Sequence, residues 1–126
     1  MATRRTEAKA MTAREVERVF ERAAGRRRLV QLTDAAGHTR AVHPYMVYVT
    51  AAGRRMLHSY QVEGYSEHGN SSGWKNVRPS SFVEARELDE EFDARRDYNP
   101  FRENQFAVVI YAAPTADGRV RRPDSP

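Results

Sequence analysis

The feature that most constrains this chain is a lone amphipathic helix signal near its start. Thr12-Ala13-Arg14-Glu15 fits a capping box. In that motif the threonine hydroxyl accepts from the amide three residues on, and the glutamate reaches back to the first amide. Val16, Val19, Phe20, Ala23 and Ala24 follow at helical spacing and share one face. Gly25 stands where a C′ glycine would end the helix. Arg26, Arg27 and Arg28 fall where the helix dipole favours cations. One helix with one apolar stripe has no second helix to pack on, so it needs a sheet.

The chain offers that sheet as short segments separated by turns. Residues 29–33 read as a strand, and Asp34-Ala35-Ala36-Gly37 as a turn. Residues 39–50 read as a long strand interrupted by Pro44. Proline has no ladder donor, so it marks an edge, a bulge or a kink. Ala51-Ala52-Gly53 turns the chain and residues 55–62 return it. A polar loop over 64–73 precedes strands at 74–78, 82–88 and 106–112. Short strands at regular spacing favour a closed barrel or a sandwich. The fold expected is α+β, mostly β: a small SH3/Sm-like barrel with an N-terminal helix over residues 12–113. A disordered lead at 1–11 precedes it. A disordered tail at 114–126, rich in proline and arginine, follows.

Charge and composition narrow the chemistry. The formal net charge is +4, and every basic residue except Lys9 and Lys75 is an arginine. Arginine suits planar, bidentate contacts to phosphate or carboxylate. A mild positive charge permits an anionic partner without demanding one. There is no cysteine, which excludes disulfides, thiol catalysis and Cys-ligated zinc. No apolar run reaches membrane-span length, and the start has no apolar signal core, so the expected location is the cytoplasm. No glycine pattern resembles a phosphate loop or a dinucleotide fingerprint, and Ser71, Ser72, Ser80 and Ser81 form no nucleophile elbow. The acidic run from Glu84 to Asp93 is too crowded for a tuned acid–base pair and reads as a solvated or ion-paired face. His38, His43, His58 and His68 lack zinc-site spacing, although His43 and His58 could meet across a hairpin. The expectation is therefore no enzyme, no metal and no cofactor.

Several motifs run in order through residues 40–92. Arg40-Ala41-Val42-His43-Pro44 sets an arginine and a proline on one strand. The Gly53 turn leads into Arg55-Met56-Leu57, and Gly73-Trp74-Lys75 closes the polar loop. Val77-Arg78-Pro79-Ser80-Ser81-Phe82 and Leu88-Asp89-Glu90-Glu91-Phe92 follow. In this order and spacing the segment resembles a WYL domain, a small Sm/SH3-type barrel found mostly in bacterial regulators. Residues 40–44 are similar to the family's R-x-v-x-P strand. Of the naming triplet only Leu57 is kept. Ser80 and Ser81 stand where the family has an aspartate and a second arginine. The resemblance implies a non-enzymatic sensor that binds a nucleotide or single-stranded nucleic acid on a basic, aromatic surface, in transcription regulation. Family members usually sit beside a helix-turn-helix domain. Here one helix precedes the motifs, so the segment resembles a free-standing WYL-like domain.

That resemblance marks Arg40 and Arg78 as ligand-binding residues on neighbouring strands, with Lys75 as a third cation. Arg40 also has a plainer reading, as a strand charge paired with a glutamate. Trp74, with Tyr60 and Tyr65, could form a stacking platform for a base; packing is the alternative. His43, on the Arg40 strand, completes the candidate ligand-binding set. A second class of function remains open: a protein-interaction module that docks a partner through the barrel edge or an apolar face.

Overall fold

The computed structural model describes residues 9–64 and 72–124. Helix α1 spans Ala13–Arg26. Both halves of the capping box form: the Glu15 amide donates to the Thr12 hydroxyl at 3.1 Å, and the Thr12 amide donates to the Glu15 carboxylate at 2.8 Å. Val16, Phe20, Ala23 and Ala24 are buried, Val19 is half-buried, and Glu17 joins the buried face. The helix does not end at Gly25. Arg27 takes the left-handed cap position at φ 55°, and its amide donates to the carbonyls of Ala23 and Ala24. The Phe92 amide holds the cap by donating to the Arg27 carbonyl at 2.9 Å. Gly25 has a different use, because a Cβ there would stand 3.3 Å from the Tyr111 hydroxyl.

Six strands follow: β1 Arg28–Asp34, β2 Thr39–Val49, β3 Arg55–Gly64, β4 Gly73–Val77, β5 Phe82–Glu91 and β6 Val108–Ala112. A 3-10 turn at Pro79–Ser81 links β4 to β5. The antiparallel sheet runs β4-β3-β2-β1-β5, and β6 pairs with β2. β2 serves two neighbours on one side. Its residues 39–42 pair with β1, and 46–49 pair with β6. The change of partner falls at Pro44, which cannot donate to a ladder. On the β3 side Tyr45 is the extra residue of a bulge, between the pairs Pro44↔Ser59 and Met46↔His58. Bulges bend a strand and increase its twist, which lets β2 leave β1 and meet β6.

The sheet is not closed. β4 and β5 end the path and do not pair with each other among the described residues. The outer edge of β5 carries the residues before the helix: the Met11 amide donates to the Val83 carbonyl at 2.8 Å. Met11, expected in a disordered lead, therefore belongs to the packed unit, while residues 1–8 lie outside the described residues. The segment after β6 also differs from expectation. Thr115 is buried. Asp124 closes a ring on β6: its amide donates to the Val109 carbonyl at 2.8 Å, and its carboxylate accepts from the Val109 amide at 2.8 Å. β6 has a free edge whose polar groups need partners, and residues 114–124 supply them.

The interior lies in two layers. Under α1, the sheet presents Val30, Leu32, Val42, Val47, Leu57, Phe82 and Ala85 to Val16, Phe20 and Ala23. On the opposite face Tyr45, Met46, Tyr48 and Val109 pack with Tyr98 and Phe106, which come from the irregular segment between β5 and β6. Among the described residues no helix is long and apolar enough to cross a membrane.

Candidate anion-binding site

The sheet divides the expected site residues between its two faces. Tyr60 and Trp74 pair across β3 and β4 and project to the aromatic side. His43 joins them, with its ring stacked on Phe92 at 4.2 Å and 6°. The three side chains do come together, but the protein's own groups occupy their faces. The Trp74 ring stacks on His58 at 4.7 Å and 6°, and its indole N–H donates to Asp97 at 3.2 Å. The Arg95 guanidinium lies 3.9 Å over the Tyr60 ring and is held by Asp97 at 3.0 Å. Tyr65 and His68 lie outside the described residues.

Arg40 and Lys75 belong to the other face. Lys75 follows Trp74 and stands two residues before Val77, which packs on the helix-side core, so strand alternation puts Lys75 on that side. The Arg40 guanidinium lies 5.4 Å over the Phe82 ring and donates to Gln61 Oε1 at 3.2 Å. Its backbone is pressed against β3: a Cβ on Gly64, at φ 123°, would collide with the Arg40 backbone. Arg40 is thus engaged by a buried amide and an aromatic ring. The histidines are also separated. His43 pairs with Tyr60 and His58 with Met46, so the two do not oppose each other across the hairpin.

His58 is the more strongly perturbed of the two histidines on the aromatic side. Burial lowers its pKa to about 4, against an opposing hydrogen bond with Asn76; the nearby Arg102 lowers it further. Asn76 Oδ1 accepts from the Tyr48 hydroxyl at 2.9 Å and meets His58 Nδ1 at 2.7 Å. An acceptor oxygen there requires Nδ1 to carry the proton. His58 is therefore a neutral core imidazole. Burial, followed by Arg95, lowers the pKa of His43 as well. Among the described residues no three acidic or histidine side chains converge as a metal site.

Arg78 leads to a different place. It follows β4, precedes the 3-10 turn, and lines a concavity of about 300 Å³ with Arg14, Arg54 and Arg55. Ala13, Pro79 and Ser80 complete the wall, and among the described residues the only carboxylate in it is Glu17. Each element has a local reason for its position. The capping box fixes the first turn of α1, and with it Arg14 and Glu17. The turn at Gly53 delivers Arg54 and Arg55 to the start of β3. Pro79 opens the 3-10 turn beside Arg78. Glu17 is 2% exposed and accepts from Arg55 Nε at 2.8 Å and Nη2 at 2.7 Å. Arg14 Nε approaches the same carboxylate at 4.0 Å. Four arginines thus line the hollow; two of them, Arg55 and Arg14, reach Glu17, and the wall is largely apolar, from Ala13, Pro79 and the aliphatic stems of the arginines. Such a hollow can hold an anion by charge and by planar N–H donors.

Of the expected residues, only Arg78 is in this hollow. Arg14, Arg54, Arg55 and Glu17 were not singled out from the sequence. The signal for Glu17 was present: it is a charged residue next to Val16, at the margin of the apolar helix face, which is where a buried ion pair can form. No protein-family model, curated protein or solved structure matches the chain.

Proposed function

We propose that this protein is a non-enzymatic, regulatory domain that binds a phosphate-bearing anion, a nucleotide or single-stranded nucleic acid, in the concavity between α1, the start of β3 and the 3-10 turn. The observation that carries this reading is that Arg14, Arg54, Arg55 and Arg78 all line one hollow, with Glu17 the sole carboxylate in its wall among the described residues. Phosphate rewards arginine geometry, because two parallel N–H donors can meet two of its oxygens. The resemblance of residues 40–92 to a WYL domain, and to its SH3/Sm-type barrel, points to the same class of ligand. Arg78 is the one residue that belongs to both arguments. On this reading Trp74, Tyr60 and His43 build the opposite face of the sheet, and Arg40 braces β2 against Phe82.

Docking of a protein partner has less behind it. The exposed large apolar residues among those described are four, Val62, Phe101, Val108 and Val120, on four different segments of the chain.

The test is titration calorimetry with inorganic pyrophosphate and AMP, on the parent protein and on an Arg54→Gln/Arg78→Gln variant. Both ligands should bind the parent, and the variant should lose about tenfold or more in affinity, the equivalent of about 1.4 kcal/mol. Equal binding by the two proteins, or no binding by either, overturns the reading.

A further inference from the structure

The aromatic side of the sheet carries a second concavity, separate from the arginine hollow. It measures about 220 Å³ and is lined by His58 on β3, Trp74 and Asn76 on β4, and Asp97, Asn99 and Arg102 from the segment between β5 and β6. That is several times the share of one water in the liquid, about 30 Å³, and below the roughly 300 Å³ where pockets for drug-sized ligands begin. It suits a molecule of few atoms. The polar groups around it are not interchangeable. His58 Nδ1 carries its proton toward Asn76 Oδ1 at 2.7 Å. His58 Nε2 has no hydrogen-bond partner among the described residues. Nor is it one of their buried unpartnered atoms, which are His43 Nδ1 and Ser59 Oγ. It is therefore open to the concavity that His58 lines, and in the neutral ring it is a bare acceptor. The neighbouring side chains supply mainly donors. Asn76 Oδ1 is taken by Tyr48 and His58, and Asn99 Oδ1 accepts from the Phe101 amide at 3.0 Å. Each amide thus has its NH2 left for a ligand. Arg102 is exposed, makes no ion pair among the described residues, and sets its positive charge near His58. Asp97 is the one carboxylate in this wall among the described residues. Its oxygens already accept from Trp74 at 3.2 Å and from Arg95 at 3.0 and 3.3 Å, so its charge is largely compensated.

Donors and one cation beside a single bare acceptor call for a ligand with the opposite set: an anionic group rich in acceptor oxygens and one O–H. We infer that this concavity binds a small hydroxycarboxylate, with its carboxylate on Arg102 and the Asn76 and Asn99 amides and its hydroxyl donating to His58 Nε2. Guanidinium and amide N–H groups match the planar carboxylate. A plain carboxylate would leave Nε2 unmet. An amino acid would bring an ammonium beside Arg102, with Asp97 already engaged. Stacking has no part in this recognition, because His58 already covers a face of Trp74. The site does not depend on the arginine hollow, which lies on the helix side of the sheet.

The experiment is titration of tryptophan fluorescence with racemic lactate, propionate and alanine, which share one carbon skeleton. Trp74 is the only tryptophan of the chain and lines the concavity, so its emission reports occupancy. Lactate should change it saturably, with half-saturation at about 1 mM, within reach of so small a ligand. Propionate lacks the hydroxyl and alanine replaces it with an ammonium. Each should bind at least about tenfold more weakly, since a site that bonds a hydroxyl rejects the analogue without it. Arg102→Gln changes an exposed residue, so the fold should survive. It should lose about tenfold in lactate affinity and leave pyrophosphate binding unchanged. Arg78→Gln should do the reverse. His58→Phe should bring lactate down to the affinity of propionate; if that variant does not fold, the ligand series and Arg102→Gln still decide. The inference is overturned by any of three results: no saturable response to lactate up to about 50 mM, equal or tighter binding of propionate or alanine, or a lactate response that Arg102→Gln leaves intact. None of these touches the arginine hollow, and a failure of pyrophosphate to bind the parent would leave this site standing.

Discussion

The two faces of the sheet are built by different physics. The helix-side layer is mainly aliphatic, and its members need only be apolar and of the right volume. The opposite layer is aromatic and polar, and most of its members are held by directional contacts. The Arg95 amide donates to the Tyr45 hydroxyl at 2.8 Å, and the Tyr98 hydroxyl donates to the Ala113 carbonyl at 2.8 Å. Asn76 joins Tyr48 to His58, and Asp97 joins Trp74 to Arg95. The difference follows from what covers each face. A helix satisfies its own backbone and needs only an apolar stripe to dock. The irregular segment between β5 and β6 has no ladder of its own, so side-chain hydrogen bonds must anchor it.

This contrast predicts different failures on the two sides. Phe20 is fully buried beneath the helix, and Phe20→Ala should cost about 3–5 kcal/mol through lost transfer energy and a residual cavity. Urea denaturation measures this, and a loss below about 1 kcal/mol would mean that the helix contributes little to the core. On the aromatic side the failure should depend on pH. His58 is neutral in the folded protein, with its pKa lowered from 6.5 to about 4. The unfolded chain binds the proton more readily. The stability it confers is therefore full above about pH 6.5, is lost as pH falls, and levels off near pH 4. The total is up to about 3 kcal/mol, at about 1.4 kcal/mol per pH unit. His58→Phe keeps a ring against Trp74 and should flatten this part of the profile. An unchanged profile between about pH 7 and pH 4.5 would locate the acid sensitivity elsewhere.

The same contrast explains what could be read from the sequence. The helix-side layer was legible because periodicity and capping report apolar burial directly: the Thr12 box and the Val16, Phe20 and Ala23 face lie where they were expected. The strands were legible within a few residues, and Pro44 marked the bulge in β2. Closure of the sheet was not legible, because it depends on whether β4 and β5 meet, and no local signal encodes that. The end of the helix was missed because tertiary contact with Phe92 stabilises a left-handed Arg27 that glycine would ordinarily occupy. The aromatic layer was half legible. Tyr60, Trp74 and His43, three of the expected ligand-binding residues, share this face, but nothing in the sequence says that Arg95 and His58 fill their ring faces. Arg40 and Lys75 were grouped with them across a sheet whose alternation puts them on the other side. The segment at 114–124 looked empty because its role is to satisfy the edge of β6, which composition does not show.

The buried Glu17 and its partner Arg55 test how far the aliphatic description of that layer extends. Arg55→Met would leave the buried Glu17 carboxylate with only the 4.0 Å approach of Arg14. Loss of one member of a buried pair costs about 3–5 kcal/mol, and because the Arg55 side chain is 39% exposed, the expected loss is smaller, about 2 kcal/mol. Glu17→Gln should cost less than this, because it removes the charge that needed burial. The order of the two variants in urea midpoints is the measurement. If Glu17→Gln is the more damaging, the pair is held mainly by its hydrogen-bond geometry and not by the need to compensate a buried charge.

The smallest stability effects should come from the two arginines that the sequence placed in one site, and the separation between them is the sharpest check on the two-faced arrangement. Arg40 contributes one hydrogen bond to Gln61 and a ring contact with Phe82, so Arg40→Ala should lower stability by about 1 kcal/mol. Arg78 is exposed, and Arg78→Ala should leave the thermal midpoint essentially unchanged. Ligand affinity should rank them in the opposite order. Arg78 lines the hollow beside Arg14, Arg54 and Arg55, so its loss should weaken pyrophosphate binding severalfold. Arg40 stands on β2 against Phe82, and its loss should leave that binding nearly unchanged. Thermal melts and pyrophosphate titrations on both variants give four numbers, and the crossed pattern is the prediction. If Arg40→Ala abolishes binding while Arg78→Ala does not, the ligand sits beside β2, and the hollow under the start of α1 is not its site.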